Sequence, residues 1–315
     1  MAVAVPASAS IETLGPSAQA WRRLRRNPAA IVSGVVILAL VFGALFAPLF
    51  APYAYDAQDR AYAVLPAAAD AKHRLGTDNL GQDIYSRLFY GARVSLAVGI
   101  IVQVIQALIG ISLGLLAAWR RGWWDTTLMR ITDAMFAFPD LLFAILLVGI
   151  VGPNGLSMKL PPWLGGVDLA GPMGSCFVVF IALALVNWPS MARLVRGQAM
   201  AMRDKEFVDA ARAMGVRDTR IVLKHILPNI LSPIIVAMTV DIANVILAEA
   251  TLSFLGIGIQ PPFPSWGRMI ADGLPYIRST PTLVIYPAVM LAATVMAFNF
   301  FGDALRDALD PRSRR

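Results

Sequence analysis

The sequence predicts an all-α polytopic membrane protein with six transmembrane helices. Three observations predict it. Of the 315 residues, 57% are hydrophobic and only 15% are charged; the apolar residues gather into runs of about 20; and lysine and arginine fall unevenly on the two sides that those runs create. A water-soluble domain carries about 25% charged residues, so folding in water would leave wide apolar areas exposed, and the bilayer is the matching solvent. The formal charge of +7 does not point to nucleic acid, because the basic residues sit in short clusters between apolar runs rather than along one face.

From the amino terminus, residues 1–28 read as a cytoplasmic tail whose first 20 residues, rich in Ala, Ser and Pro, have the composition of a disordered segment. Arg22, Arg23, Arg25 and Arg26 then imitate the basic start of a signal peptide. The uncharged stretch 27–55 is far longer than the roughly 7–15-residue apolar core of a cleaved signal, so it reads as a retained anchor. A membrane domain at 29–312 follows, with spans at about 29–50, 94–119, 131–152, 172–191, 230–255 and 281–301 and a short tail at 313–315. Asp133 and Asp140 interrupt the first half of the third span, and the fifth carries Asp241 and Glu249. The other spans are free of charge.

Orientation follows from the basic residues. The amino terminus, the 120–130 region, the 193–224 loop and the carboxyl terminus together hold 19 of the 27 lysines and arginines; the opposite side holds seven, with Arg93 at a boundary. Both termini and the 193–224 loop are therefore expected in the cytoplasm.

That loop is the most informative stretch. From Arg203 to Gly215 it reads as a short helix in which Phe207, Ala210, Ala211 and Met214, spaced i, i+3, i+4 and i+7, make one apolar stripe among charges. Gly215 would stop the helix in the left-handed region, and a second short helix from Asp218, its N-cap, would end before Pro228. Such a stripe suits either an amphipathic helix resting on lipid headgroups or a helix that docks on a cytoplasmic partner.

Asp209-Ala210-Ala211, Gly215 six positions after Asp209, and Leu227-Pro228 resemble the "EAA" loop of ABC-importer permeases. Two departures stand out: Asp209 replaces the usual Glu, and His225 stands where many members have Ile. Three further stretches are similar to signatures of the dipeptide, oligopeptide and nickel branch: 75–83 with 87–93, 249–256 with 261–267, and the ending 301–311. The resemblance implies a type I ABC-importer permease fold in a bacterial inner membrane. It also implies a second, similar permease, two ATPase subunits that hold the ATP and Mg, and an extracytoplasmic binding protein that delivers cargo. Glu206, Phe207, Asp209, Ala210, Ala211, Met214, Gly215, Leu227 and Pro228 would form the loop that couples to an ATPase. The cargo it implies is a short peptide, with nickel as the alternative.

The remaining chemistry is sparse. None of the four lysines follows a glycine, so no phosphate-binding P-loop exists and ATP hydrolysis has to come from elsewhere. A stand-alone secondary transporter using Asp241 or Glu249 as proton relay is the rival from another class, and a membrane scaffold without transport is a third reading. Proline and glycine around 256–267 suggest instead that Glu249 lies partly solvated near the outer membrane surface. Gln103, Gln106, Asn187, Asn244 and Asn299 are candidates for hydrogen bonds between helices. Gly110-Ile111-Ser112-Leu113-Gly114 imitates a serine nucleophile turn, but it lies within an apolar run and reads better as a close helix contact. His73 and His225 are too few and too far apart for an ordinary zinc site, and the single Cys176 allows no disulfide framework. His73 reads as a loop residue, His225 as a helix-end group near the membrane surface, and Asp78-Asn79-Leu80-Gly81 as a turn. No catalytic residue, metal ligand or cofactor site of this chain's own is expected.

Overall fold

Helix starts in this chain carry their own stop and start chemistry. In the computed structural model, which describes residues 16–62, 66, 68–151, 168 and 171–310, Asn27 caps α2 (Pro28–Leu45) by accepting from the Ala29 amide, and Pro28 occupies the first turn, where its missing N–H costs nothing. A one-turn α3 (Ala47–Phe50) follows. Asp83 caps α4 (Ile84–Arg120) by accepting from the Ser86 amide at 2.8 Å. Ahead of them, α1 (Pro16–Leu24) makes the end of the amino-terminal tail helical, against the expectation of disorder to residue 20. Residues 1–15, the expected limit of the third span at 152, and the tail at 313–315 lie outside the described residues.

The helix that carries the expected second span begins ten residues before it, because Asp83, the last residue of the 75–83 signature, caps the helix there. The third span is not one helix. α5 (Trp123–Phe136) and α6 (Asp140–Val151) meet at 89°. Pro139 sits in the break: its ring disfavours helical geometry at Phe138, and Asp140 restarts the helix with a negative charge in the first turn. Then come α7 (Pro172–Arg203), α8 (Glu206–Ala213) and α9 (Asp218–Ile221), a π-helical turn at Val222–Ile226, α10 (Leu227–Phe254), α11 (Trp266–Gly273) and α12 (Thr282–Leu309). The second short helix therefore does not end before Pro228. It runs through the π turn into α10, because a widened turn removes the clash between the proline ring and the preceding carbonyls.

Among the described residues five helices are long and apolar enough to cross a membrane, six if the bent α5–α6 pair counts as one crossing. Among the described residues every regular element is a helix. α4 is central: it packs on α7, α10 and α2, and its Gly110 and Gly114 lie so close to α7 that a Cβ at either would stand 2.6 Å from Met191 Cβ or from the Ala192 carbonyl oxygen. The nucleophile-like motif is thus a helix contact, as its G-x-x-x-G spacing suggests. Large apolar side chains such as Leu38, Leu108, Val289 and Phe300 remain on the outside, as lipid-facing residues must.

Candidate functional site

α8 is held to the membrane helices by a few contacts. Val208, fully buried, and Ala211 join a core with Leu115 and Ala118 of α4, Val195 and Ala199 of α7, Ile226 of the π turn and Ile230 of α10. Burying Val208 contributes about 1.5–3 kcal/mol to that attachment. Arg203 closes the junction from above: its Nη1 donates to the Ala118 and Trp119 carbonyls, both at 2.9 Å, which are among the last carbonyls of α4 and lack helical partners. Its guanidinium also lies over the Trp119 ring at 5.3 Å, with Arg212 at 5.0 Å.

The expected stripe divides. Phe207, 41% exposed, Ala210, and Met214, 76% exposed, face away from the protein together with Glu206 and Asp209. Ala211 turns inward with Val208, which the periodicity reading passed over. A heptad-like spacing identifies apolar neighbours on a helix but not which of two adjacent faces meets the protein, and here the valine packs better. The helix also starts at Glu206 rather than Arg203. Its end is a Schellman turn: the Gly215 amide donates to Arg212 O at 2.9 Å and the Val216 amide to Ala211 O at 3.1 Å, with Gly215 at φ +75°. Arg217, not Asp218, takes the cap position of α9, and Asp218 lies in its first turn. Leu227 is half-buried against the same core as Val208, while Pro228 is exposed. The residues from Glu206 to Gly215 form one outward knob, and Leu227-Pro228 lies at its membrane root.

Two polar groups lie inside the helices. Glu249 is 0% exposed, accepts from Ser253 Oγ at 2.6 Å, and has the Ser95 and Ser265 hydroxyls beside it. This corrects the expectation of a partly solvated carboxyl: the 255–265 segment folds back, and Trp266, fully buried, donates its indole N–H to Leu88 O at 3.2 Å. The second group centres on Asp241, whose Oδ2 accepts from Gln106 Nε2 of α4 at 3.2 Å. Of the other candidate bridging amides, Asn187 bonds within its own helix to Leu183 O, and Asn244 reaches Asp241 at 3.5 Å on the same helix.

On the other side of the molecule from α8, His73 proves to be a buried hub rather than a simple loop residue. It is 2% exposed, with Nδ1 2.9 Å from Asp83 Oδ1, and its ring lies between those of Tyr53 and Tyr62. The same Asp83 caps α4, and Asp78 turns the chain by accepting from the Leu80 and Gln82 amides before pairing with Arg87 at 2.7 Å. Around the hub, Lys72 donates to Asp59 and holds its carboxyl below the usual range, while Asp59 raises Lys72 in return. Tyr62 does the same to Asp70 through a 2.5 Å bond. Lys72, His73 and Arg74 adjoin in sequence, which signals a solvated loop; nothing local shows that Asp83, ten residues on, buries the imidazole.

The sequence profile of the inner-membrane component of binding-protein-dependent transport systems matches residues 110–315, and that of the amino-terminal transmembrane domain of oligopeptide transport permease C matches 15–67. The chain belongs to this family of transport permeases. The permease is 38% identical to the dipeptide transport system permease protein DppC of Alkalihalophilus pseudofirmus, over 96% of its own length and 91% of the relative's. It is 38% identical to the oligopeptide transport system permease protein OppC of Bacillus subtilis, over 94% and 90%. It is 39% identical to the glutathione transport system permease protein GsiD of Escherichia coli O157:H7, over 93% and 89%. An inward-facing structure of the MetNI methionine ABC transporter shares its fold, with a TM-score of 0.54 and 19% identity over 71% of the permease and 96% of the MetNI chain. It is thus a multi-pass inner-membrane permease of the ABC-importer class, in the dipeptide and oligopeptide branch.

Proposed function

We propose that the chain is the non-catalytic membrane subunit of an importer for short peptides, working beside a second permease, two ATPase subunits that bind ATP and Mg, and an extracytoplasmic binding protein. The observation that carries the coupling role is the division of α8. Val208 and Ala211 root it in the ends of α4, α7 and α10, while Phe207, Ala210 and Met214 stay bare between Glu206, Asp209 and Arg212. A ridge of apolar side chains rimmed by charge is what a protein groove recognises. Because α8 shares a core with three membrane helices, displacing it displaces them. ATP-driven closure of the neighbour would thus switch the access of the conduit. The relatives' names support peptide cargo, since dipeptides, oligopeptides and glutathione share peptide bonds and a free amino group.

A short cysteine-to-lysine cross-linker placed at Met214→Cys, in a Cys176→Ser background, should trap an ATPase subunit in the assembled complex. Phe207→Asp should cut ATP-driven peptide uptake by about tenfold, the loss of one well-buried apolar contact. Adducts with lipid alone, together with undiminished uptake by Phe207→Asp, would instead make α8 a headgroup-bound surface helix.

A further inference from the structure

Asp241 sits where a carboxylate is hardest to accommodate. At 1.5 Å per residue it lies about 21 Å from Leu227 and about 20 Å from Phe254, the two ends of α10, near the middle of the helix. Among the described residues it forms no ion pair, and its hydrogen-bond partners are the amides of Gln106 and Asn244. An acidic group at such depth faces a polar path or a partner rather than lipid.

Its surroundings are built. Gln106, 1% exposed, donates one amide hydrogen to Asp241 Oδ2, and its own Oε1 has no partner among the described residues. Gln103, one turn earlier and equally buried, has neither amide atom partnered among the described residues. On α10, Ala237, Asp241, Asn244, Ala248 and Thr251 follow one another along a single face, half-buried or exposed, small or polar throughout. The second carboxylate oxygen, Oδ1, keeps only the 3.5 Å approach of Asn244. One oxygen is therefore held by α4, while the other, on a half-buried residue, has only that long approach from its own helix.

We propose that Asp241, positioned by Gln106, receives the protonated amino terminus of the cargo midway through the conduit; the inference rests on the peptide-import reading above. Every unblocked peptide carries that ammonium whatever its side chains, and a carboxylate flanked by alanines recognises the charge while leaving space for the remainder. The weak hold on Oδ1 suits a site that must release what it binds.

The test uses the complete importer in proteoliposomes and follows a radiolabelled dipeptide and its N-acetylated form. Asp241→Asn should lower uptake of the free-amine peptide by about tenfold, Asp241→Glu should restore most of it, and the acetylated peptide, carried weakly by the unaltered complex, should be carried no worse by Asp241→Asn. The companion permease should still co-purify. Equal free-amine uptake by Asp241→Asn overturns the proposal. So does an equal loss for both peptides, which would mark a structural role, or loss of the companion permease on purification, which would mean that Asp241 pairs with a base of that subunit. If the unaltered complex carries neither peptide, the peptide reading itself fails and takes this inference with it.

Discussion

Gly215 shows how one residue type is dictated by backbone alone. Its φ of +75° serves the Schellman turn that ends α8, and a Cβ built there meets no atom within 4 Å. Any effect of substitution is thus conformational: a β-branched residue in the left-handed region costs about 1–2 kcal/mol, asparagine much less. Gly215→Val should therefore loosen the knob and lower peptide imported per ATP hydrolysed several-fold in the assembled complex, with Gly215→Asn close to the unaltered ratio. Identical ratios for valine and glycine would show that the turn does not transmit motion. The glycine was legible in the sequence because a stop was due there. The burial of His73 was not, because its partner Asp83 is brought to it by the turn at Asp78 and by the helix start that Asp83 itself caps.

Helix pairs are the next level, and small residues set their distances. Gly110 and Gly114 let α4 approach α7 until no further side-chain atom fits at their positions, whereas Gly197, on α7 itself, has nothing within 4 Å of its Cβ position. Gly110→Ala and Gly114→Ala should each lower the melting temperature of the purified protein, since the backbone must separate, at about 1–3 kcal/mol. Gly197→Ala should hold or raise it, because alanine is the better helix former by about 1 kcal/mol. A uniform response at all three positions would remove the close-packing account. At this scale the apolar runs announced the long helices well. They missed the break at Pro139, because an apolar run of spanning length looks the same whether straight or bent, and they missed the continuation through Pro228, because a π turn has no hydropathy signature.

For the whole molecule, the uneven basic residues predict that α8 and both termini lie in the cytoplasm. Single cysteines in a Cys176→Ser background check this. Arg60→Cys should react with a membrane-impermeant maleimide on intact spheroplasts, and Arg217→Cys only after lysis; the reverse pattern would place α8 outside the cell and end the coupling role. The lopsided surface agrees with a subunit rather than a free-standing protein, since α8 offers its apolar ridge on one side and α10 a small, polar face in mid-span.

The sequence by itself determined the solvent, the helical class, the approximate spans and the presence of a helix–glycine knob between two of them. Each of these depends on composition and local spacing, which fold along with their own neighbours in the chain. Only the tertiary structure decided which side of α8 is rooted and which is bare, that Glu249 is sealed by the returning 255–265 segment, and that Gln106 and Asp241, 135 residues apart, meet between α4 and α10. Those outcomes depend on the distance between helices, and periodicity along one helix carries no information about what stands opposite it.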